Sequence, residues 1–171
     1  MKAPAKRRAR RPPTNTLGWR EWAVLPELGV RAIKVKLDTG ARTSSLQASG
    51  LKRFFRDGTP MVRFVVHPVQ RSSVAKVEIE AEVVDERVVR SSGGHEELRP
   101  VIQTVVHIGD HTWPLELTLA RRDQMGFRML LGRQALKNRV VVDAGSSFRA
   151  GRSLAPVNQA RRTRRASEDE E

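Results

Sequence analysis

The chain has 171 residues, a formal net charge of +13 and no cysteine. That length suits one domain with a real core and hardly two, and the missing cysteine excludes a disulfide framework and a thiolate nucleophile. No apolar run approaches the ~20 residues of a membrane-spanning helix, and the basic N-terminus lacks the apolar stretch of a secretory signal, so a cytoplasmic protein with no membrane partner is expected.

The charge is unevenly placed. Residues 1–13 hold six Lys or Arg and no acid, and residues 149–171 hold six Arg and four acids, which leaves 20 basic and 15 acidic residues, a net of +5, in between. Residues 1–16 and 150–171 have few large apolar side chains to offset the entropy of ordering. They are expected to be disordered arms around one folded domain at 17–149. Basic arms can contact ribosomes or RNA through phosphates or simply remain solvated. These arms carry no clustered aromatics that would stack on bases.

Between the arms the chain reads as β. Ile33, Val35 and Leu37 alternate with polar residues and lead into Asp38-Thr39-Gly40-Ala41, a strand ending in a turn. Small hydroxyl-bearing residues follow (Thr43, Ser44, Ser45) before an apolar return at Leu46. Val62, Phe64 and Val66 alternate next, and Val77, Ile79, Ala81 and Val83 alternate with Glu78, Glu80 and Glu82, a period of two. Asp85–Arg90 and Leu98–Ile108 flank a turn at Ser91-Ser92-Gly93-Gly94. Gly109-Asp110 is a second turn, and Trp113 to Leu119 runs back with Leu115, Leu117 and Leu119 on one face, a hairpin. Met129-Leu130-Leu131 ends in Gly132, and Arg133 to Lys137 reads as the one short helix. Many short strands in about 130 residues predict an all-β domain, a small closed barrel or a sandwich.

Asp38 is the first candidate for chemistry. An Asp at a strand mouth is often a turn former, because its side chain bonds the backbone two residues on. Gly40, in contrast, removes a Cβ where a substrate or partner backbone approaches, and Thr39 offers a hydroxyl that can brace the same turn in a partner chain. His67, His95, His107 and His111 have no helical metal-ligand spacing, and no phosphate-cradling loop is present. Neither a metal nor a cofactor is therefore expected.

Several segments in order carry a family resemblance: Gly18-Trp19-Arg20-Glu21-Trp22, Lys36-Leu37-Asp38-Thr39-Gly40-Ala41-Arg42-Thr43-Ser44-Ser45-Leu46, Val62–Pro68, Val84–Val89, Ser92-Gly93-Gly94-His95 and Phe127–Arg133. They resemble the bacterial retropepsin-like aspartic peptidase family long labelled "ATP-dependent zinc protease" or RimK-associated protease. The resemblance implies a barrel of the retroviral acid protease fold with Asp38 as catalytic aspartate and Thr39 and Gly40 completing its turn. It implies that Leu130, Leu131 and Gly132 form the strand behind that loop. Ala41 and Arg42 would border the substrate, and the hairpin tipped by Ser92, Gly93 and Gly94 would be the flap over it. A guanidinium at Arg42, joined by Arg133, favours acidic substrate side chains. The alternative is that these arginines pair with acids such as Asp85 or Glu86.

Such an enzyme needs two carboxylates, and the chain offers one Asp-Thr-Gly. The implied source of the second is a C2 homodimer. Val140-Val141-Val142-Asp143-Ala144-Gly145 echoes the pattern, but too little chain surrounds it for a second lobe, so Asp143 reads as a strand-end turn residue. The implied partner is a peptide or protein with acidic side chains, linked to ATP-grasp ligases that extend glutamate tails on a ribosomal protein. The rival reading is a non-catalytic barrel that binds an acidic peptide as an added strand.

Overall fold

A computed structural model describes residues 15–69, 75–90, 93–121 and 126–151. In chain order the elements are β1 (Thr16–Gly18), β2 (Arg20–Leu25), a 3-10 turn over Pro26–Leu28, β3 (Val30–Leu37), β4 (Ser44–Gln47), β5 (Ser49–Arg56), β6 (Thr59–Val66) and β7 (Val77–Glu82). There follow β8 (Asp85–Arg90), β9 (Glu96–Ile108), β10 (His111–Ala120), β11 (Met129–Leu131), α1 (Arg133–Leu136) and β12 (Val141–Asp143).

The period of two decides which side chains face inward. In β2 the buried row is Glu21, Ala23 and Leu25, and in β3 it includes Ile33, Val35 and Leu37. The two strands pair antiparallel, with a bulge between Ala23 and Leu25. Strands β10, β4, β11, β3, β2 and β9 lie side by side in that order, and β10 pairs back onto β9. The result is a closed six-stranded barrel, as expected for a chain of short alternating strands. Ile33, Val35, Leu46, Ile102, Val106, Leu117 and Leu131 fill it, all fully buried.

The β9–β10 hairpin pairs Ile108 with His111 and Ile102 with Leu117 around the expected Gly109-Asp110 turn. Strand β8 pairs with β9 outside the ring. A separate sheet, β5-β6-β7, lays Val62, Phe64 and Val66 against the barrel core. Its first hairpin turns at Asp57-Gly58, both at positive φ, the backbone that the favoured two-residue hairpin turn demands. Helix α1 is one residue shorter than the sequence predicts, because Lys137 returns to extended backbone (ψ 130°). No helix among the described residues is long and apolar enough to cross a membrane.

Strand β11 positions the site. It runs parallel to β3, with Leu131 opposite Leu37, and antiparallel to β4, with Met129 opposite Leu46. Two apolar runs far apart in sequence therefore end side by side, one in Asp38 and the other in Gly132.

Candidate active site

Asp38 sits where β3 leaves the barrel. Its amide donates to the Leu131 carbonyl at 2.8 Å, which ties the strand end to β11. Its Oδ1 accepts from the Gly40 amide at 2.9 Å and the Ala41 amide at 3.3 Å. The carboxylate is thus a turn former, and it keeps its second oxygen for other work. That oxygen, Oδ2, accepts from the Lys36 ammonium at 3.0 Å, and the Asp38 side chain stays 25% exposed. Burial alone would raise the Asp38 carboxyl. The Lys36 hydrogen bond and charge and the two amides together outweigh it and hold the group below its ordinary value.

The loop is braced from behind by the segment after β11. The Gly132 amide donates to Ser44 Oγ at 3.0 Å, and the Arg133 and Gln134 amides donate to the carbonyls of Ala41 (2.7 Å) and Arg42 (3.1 Å). A Cβ on Gly132 would lie 2.5 Å from the Thr43 carbonyl oxygen, so only glycine permits this approach. Arg133 Nη1 donates to the carbonyls of Thr39 (3.1 Å) and Gly40 (3.0 Å). Its guanidinium thus clamps the Asp-Thr-Gly turn directly. Leu130 and Leu131 are buried beneath it.

A cleft of about 780 Å3 opens beside Ala41 and Arg42 and runs between β4 and the Glu86–Arg90 stretch of β8, with Thr118 and Leu130 along its lining. Its charges are largely matched in pairs: Arg87 with Glu116 and Asp85, Arg90 with Glu96, Arg99 with Glu97, and Glu86 with Arg53. Asp85 and Glu86 are therefore taken by Arg87 and Arg53, not by Arg42 or Arg133. On the other side of Thr39 lies a shallower, mainly apolar groove of about 430 Å3 along Arg133, Leu136, Val140 and Val142. Arg42 lines both, whereas Asp38 lines neither and sits beside Thr39, with Thr39 and Gly40 exposed. The β8–β9 hairpin supplies Glu86–Arg90 and Arg99 to the wall of the larger cleft. Its tip carries exposed Gly93 and Gly94, the latter at φ +81°, while Ser92 lies outside the described residues.

Asp143 ends β12 in a similar turn, its Oδ1 accepting from the Gly145 amide at 2.9 Å and its Oδ2 from the Ser146 hydroxyl at 2.6 Å. Those two donors hold its carboxyl below the ordinary value. Among the described residues no three His, Cys, Asp or Glu side chains gather as a metal site would need.

Two polar residues of this region were not singled out from the sequence. Lys36 reaches Asp38 because it lies two residues before it, where β3 runs into the turn, and that spacing was the available signal. Glu21 is fully buried, and its carboxylate accepts from the amides of Gly18 (2.7 Å), Arg149 (2.8 Å) and Ala150 (3.2 Å). It fastens the segment after β12 to the start of β2. Its inward phase in β2 was the signal, but its partners at Arg149 and Ala150 lie too far along the chain for any local pattern.

The sequence model of one protein family, described as "RimB-like: Retropepsin-like aspartic endopeptidase RimB", matches residues 16–153. The chain belongs to this RimB-like family. Among curated relatives, a "Probable alpha-L-glutamate ligase" of Shewanella halifaxensis (strain HAW-EB4) is 47% identical over 135 residues, which are 79% of this chain and 30% of that protein. A protein of the same description from Desulfotalea psychrophila (strain LSv54 / DSM 12343) is 44% identical over 127 residues, 74% of this chain and 27% of its own length. The chain thus spans under a third of the curated relatives it matches. A crystal structure of a Legionella pneumophila protein of unknown function is similar at a TM-score of 0.64 and 27% identity, over 80% of this chain and 98% of the other. The RimB-like match runs from β1 through the Asp38 turn to the segment held by Glu21.

Proposed function

We propose that this chain is an aspartic endopeptidase of retropepsin type, acting as a C2 homodimer in which two Asp38 carboxylates meet across the axis. The observation that carries this reading is the Asp38 turn: a carboxylate fixed by two amides, in a turn clamped by Arg133, still reached by solvent, with Ala41 and Arg42 of the same loop lining the large cleft. The RimB-like membership supports the reaction class.

Two carboxylates held ~3 Å apart share one proton. The ionised member takes a proton from the attacking water, and the protonated one donates to the carbonyl oxygen of the scissile bond. The dyad titrates as a unit, with values belonging to the pair. Exposed Thr39 and the apolar groove beside it are where a second copy would complete the site. The names of the longer relatives point to glutamate chemistry, and an acidic peptide is the substrate this reading favours. Cleavage of glutamate-rich peptides by the wild type, together with its loss in Asp38→Asn, tests the reading; a monomer that keeps full activity would remove the dimer from it.

One observation favours a second reading. Asp38 is ion-paired and doubly hydrogen-bonded as it stands, and the relatives join a similar domain to a much longer chain named as a ligase. A module that holds an acidic peptide beside a separate ligase, without cutting it, fits both facts. Such a module binds glutamate peptides and leaves them intact in the presence of any partner.

A further inference from the structure

Lys36 stands out among the cations near the site for the partner it holds. Arg87, Arg90 and Arg99 are matched by acids of the cleft wall and the hairpin. Lys36 is matched by Asp38 itself, at 3.0 Å, with its side chain only 17% exposed. A half-buried ammonium is stabilised by an anion beside it, so a negative charge is the natural replacement for Asp38.

The geometry says where that charge would come from. Lys36 lies near the end of β3 and Asp38 just beyond it, about 7 Å apart along an extended backbone, and their 3.0 Å contact puts both side chains on one side of the chain. An extended substrate repeats its side chains on one face at the same spacing. With its scissile carbonyl over Asp38, it sets a flanking side chain over Lys36.

We propose that Lys36 is the residue that selects a carboxylate side chain next to the scissile bond, and that its contact with Asp38 is a resting pair which the substrate's carboxylate replaces. A glutamate peptide gives the ammonium a new partner and leaves the Asp38 oxygen available to the attacking water. A glutamine peptide of the same shape has no charge to exchange, so Lys36 stays on Asp38. Lys36 is in this sense a specificity and positioning residue, with Asp38 the group that does the chemistry. The inference rests on the peptide-substrate reading above and adds to it the residue that reads the charge.

The experiment compares a glutamate-containing peptide with its glutamine counterpart on the full chain, by calorimetric binding and by cleavage. Wild type is expected to prefer the glutamate peptide in both. Lys36→Met is expected to lose at least tenfold of that preference, and Lys36→Arg to retain most of it. Asp38→Asn removes the competing carboxylate, so it is expected to bind the glutamate peptide severalfold more tightly than wild type, a gain that vanishes in Asp38→Asn/Lys36→Met. Thermal unfolding of each variant checks that it is folded. An unchanged glutamate preference in Lys36→Met, or weaker glutamate binding by Asp38→Asn, overturns the assignment. The binding arm separates this inference from the peptidase reading: Lys36-dependent preference without cleavage removes the peptidase and keeps Lys36, and cleavage without Lys36-dependent preference does the reverse.

Discussion

Replacing Gly132 with alanine tests the junction that holds the two halves of the site together. The backbone there has φ −89° and ψ 175°, a conformation open to any residue, so alanine brings no torsional strain. What it brings is a clash. The new Cβ would stand 2.5 Å from the Thr43 carbonyl oxygen, 2.6 Å from its carbonyl carbon and 2.8 Å from its nitrogen. All three atoms are backbone, so no side chain can swing aside. Relief requires moving the loop after Asp38 away from β11, at the expense of the Arg133–Ala41 and Gln134–Arg42 hydrogen bonds (2.7 and 3.1 Å). Overpacking of this kind costs about 1–3 kcal/mol, and the upper end applies where backbone meets backbone. For a domain of this size about 4 °C of Tm goes with each kcal/mol, so a fall on the order of 8–12 °C is expected. Thermal unfolding followed by circular dichroism measures it. Gly145→Ala is the control, because its Cβ would come no nearer than 3.4 Å, to the Asp143 side chain; it should stay within about 0.5 kcal/mol of wild type. A Gly132→Ala protein as stable as that control would refute the packing argument.

Three further outcomes follow from the same contacts. Glu21→Gln keeps the shape but replaces an acceptor-only carboxylate with an amide that faces backbone donors; a loss of about 1.5–3 kcal/mol is expected from charge-assisted bonds of this kind, read as a lower urea midpoint at unchanged slope, and an unshifted midpoint would contradict the clasp. Arg133→Ala releases the Thr39 and Gly40 carbonyls, and since small misplacements of a reacting group are costly, kcat/KM should fall about tenfold or more while the Tm moves little; a variant with wild-type kcat/KM would show that the clamp is dispensable. The third concerns pH. The Asp38 carboxyl sits below its ordinary value, so the stability its ion pair contributes is present above the unfolded carboxylate value of about 3.9 and is lost as pH falls through the lower folded value. The unfolding free energy of wild type relative to Lys36→Met should therefore be flat from pH 5 to 8 and decline by under about 1 kcal/mol below pH 4. A difference that grows on acidification would contradict that sign.

Much of the domain was legible because its strands obey a strict period of two. Ile33-Val35-Leu37, Val62-Phe64-Val66 and Leu115-Leu117-Leu119 each declared their buried face, and Gly109-Asp110 declared a turn. The resemblance implied a strand at Leu130, Leu131 and Gly132 behind the Asp38 loop, and the parallel pairing of β11 with β3 came only with the structure. What local pattern withheld was charge placed on the barrel. Lys36 is an ordinary polar alternation partner until its neighbour at Asp38 is considered together with it. Glu21 is a carboxylate on an inward face, a choice that makes sense only once the Arg149 and Ala150 amides arrive from the far end of the domain. Arg133 read equally well as a substrate contact, and only the folded loop brings the Thr39 and Gly40 carbonyls to its guanidinium. The β5–β6 hairpin also escaped notice, although Asp57-Gly58 is a strong turn pair.

Incubating wild type and Asp38→Asn with a diverse peptide pool that includes glutamate-rich peptides, across pH 4 to 8, and identifying the products by mass spectrometry decides whether Asp38 makes this domain a peptidase. Asparagine keeps the size of the side chain and cannot ionise, so the Gly40 and Ala41 amides retain an acceptor and the fold should survive. Cleavage by wild type, concentrated at acidic residues, and none by Asp38→Asn is the expected result. Equal cleavage by both proteins, or intact peptides with both while each binds them, would contradict it.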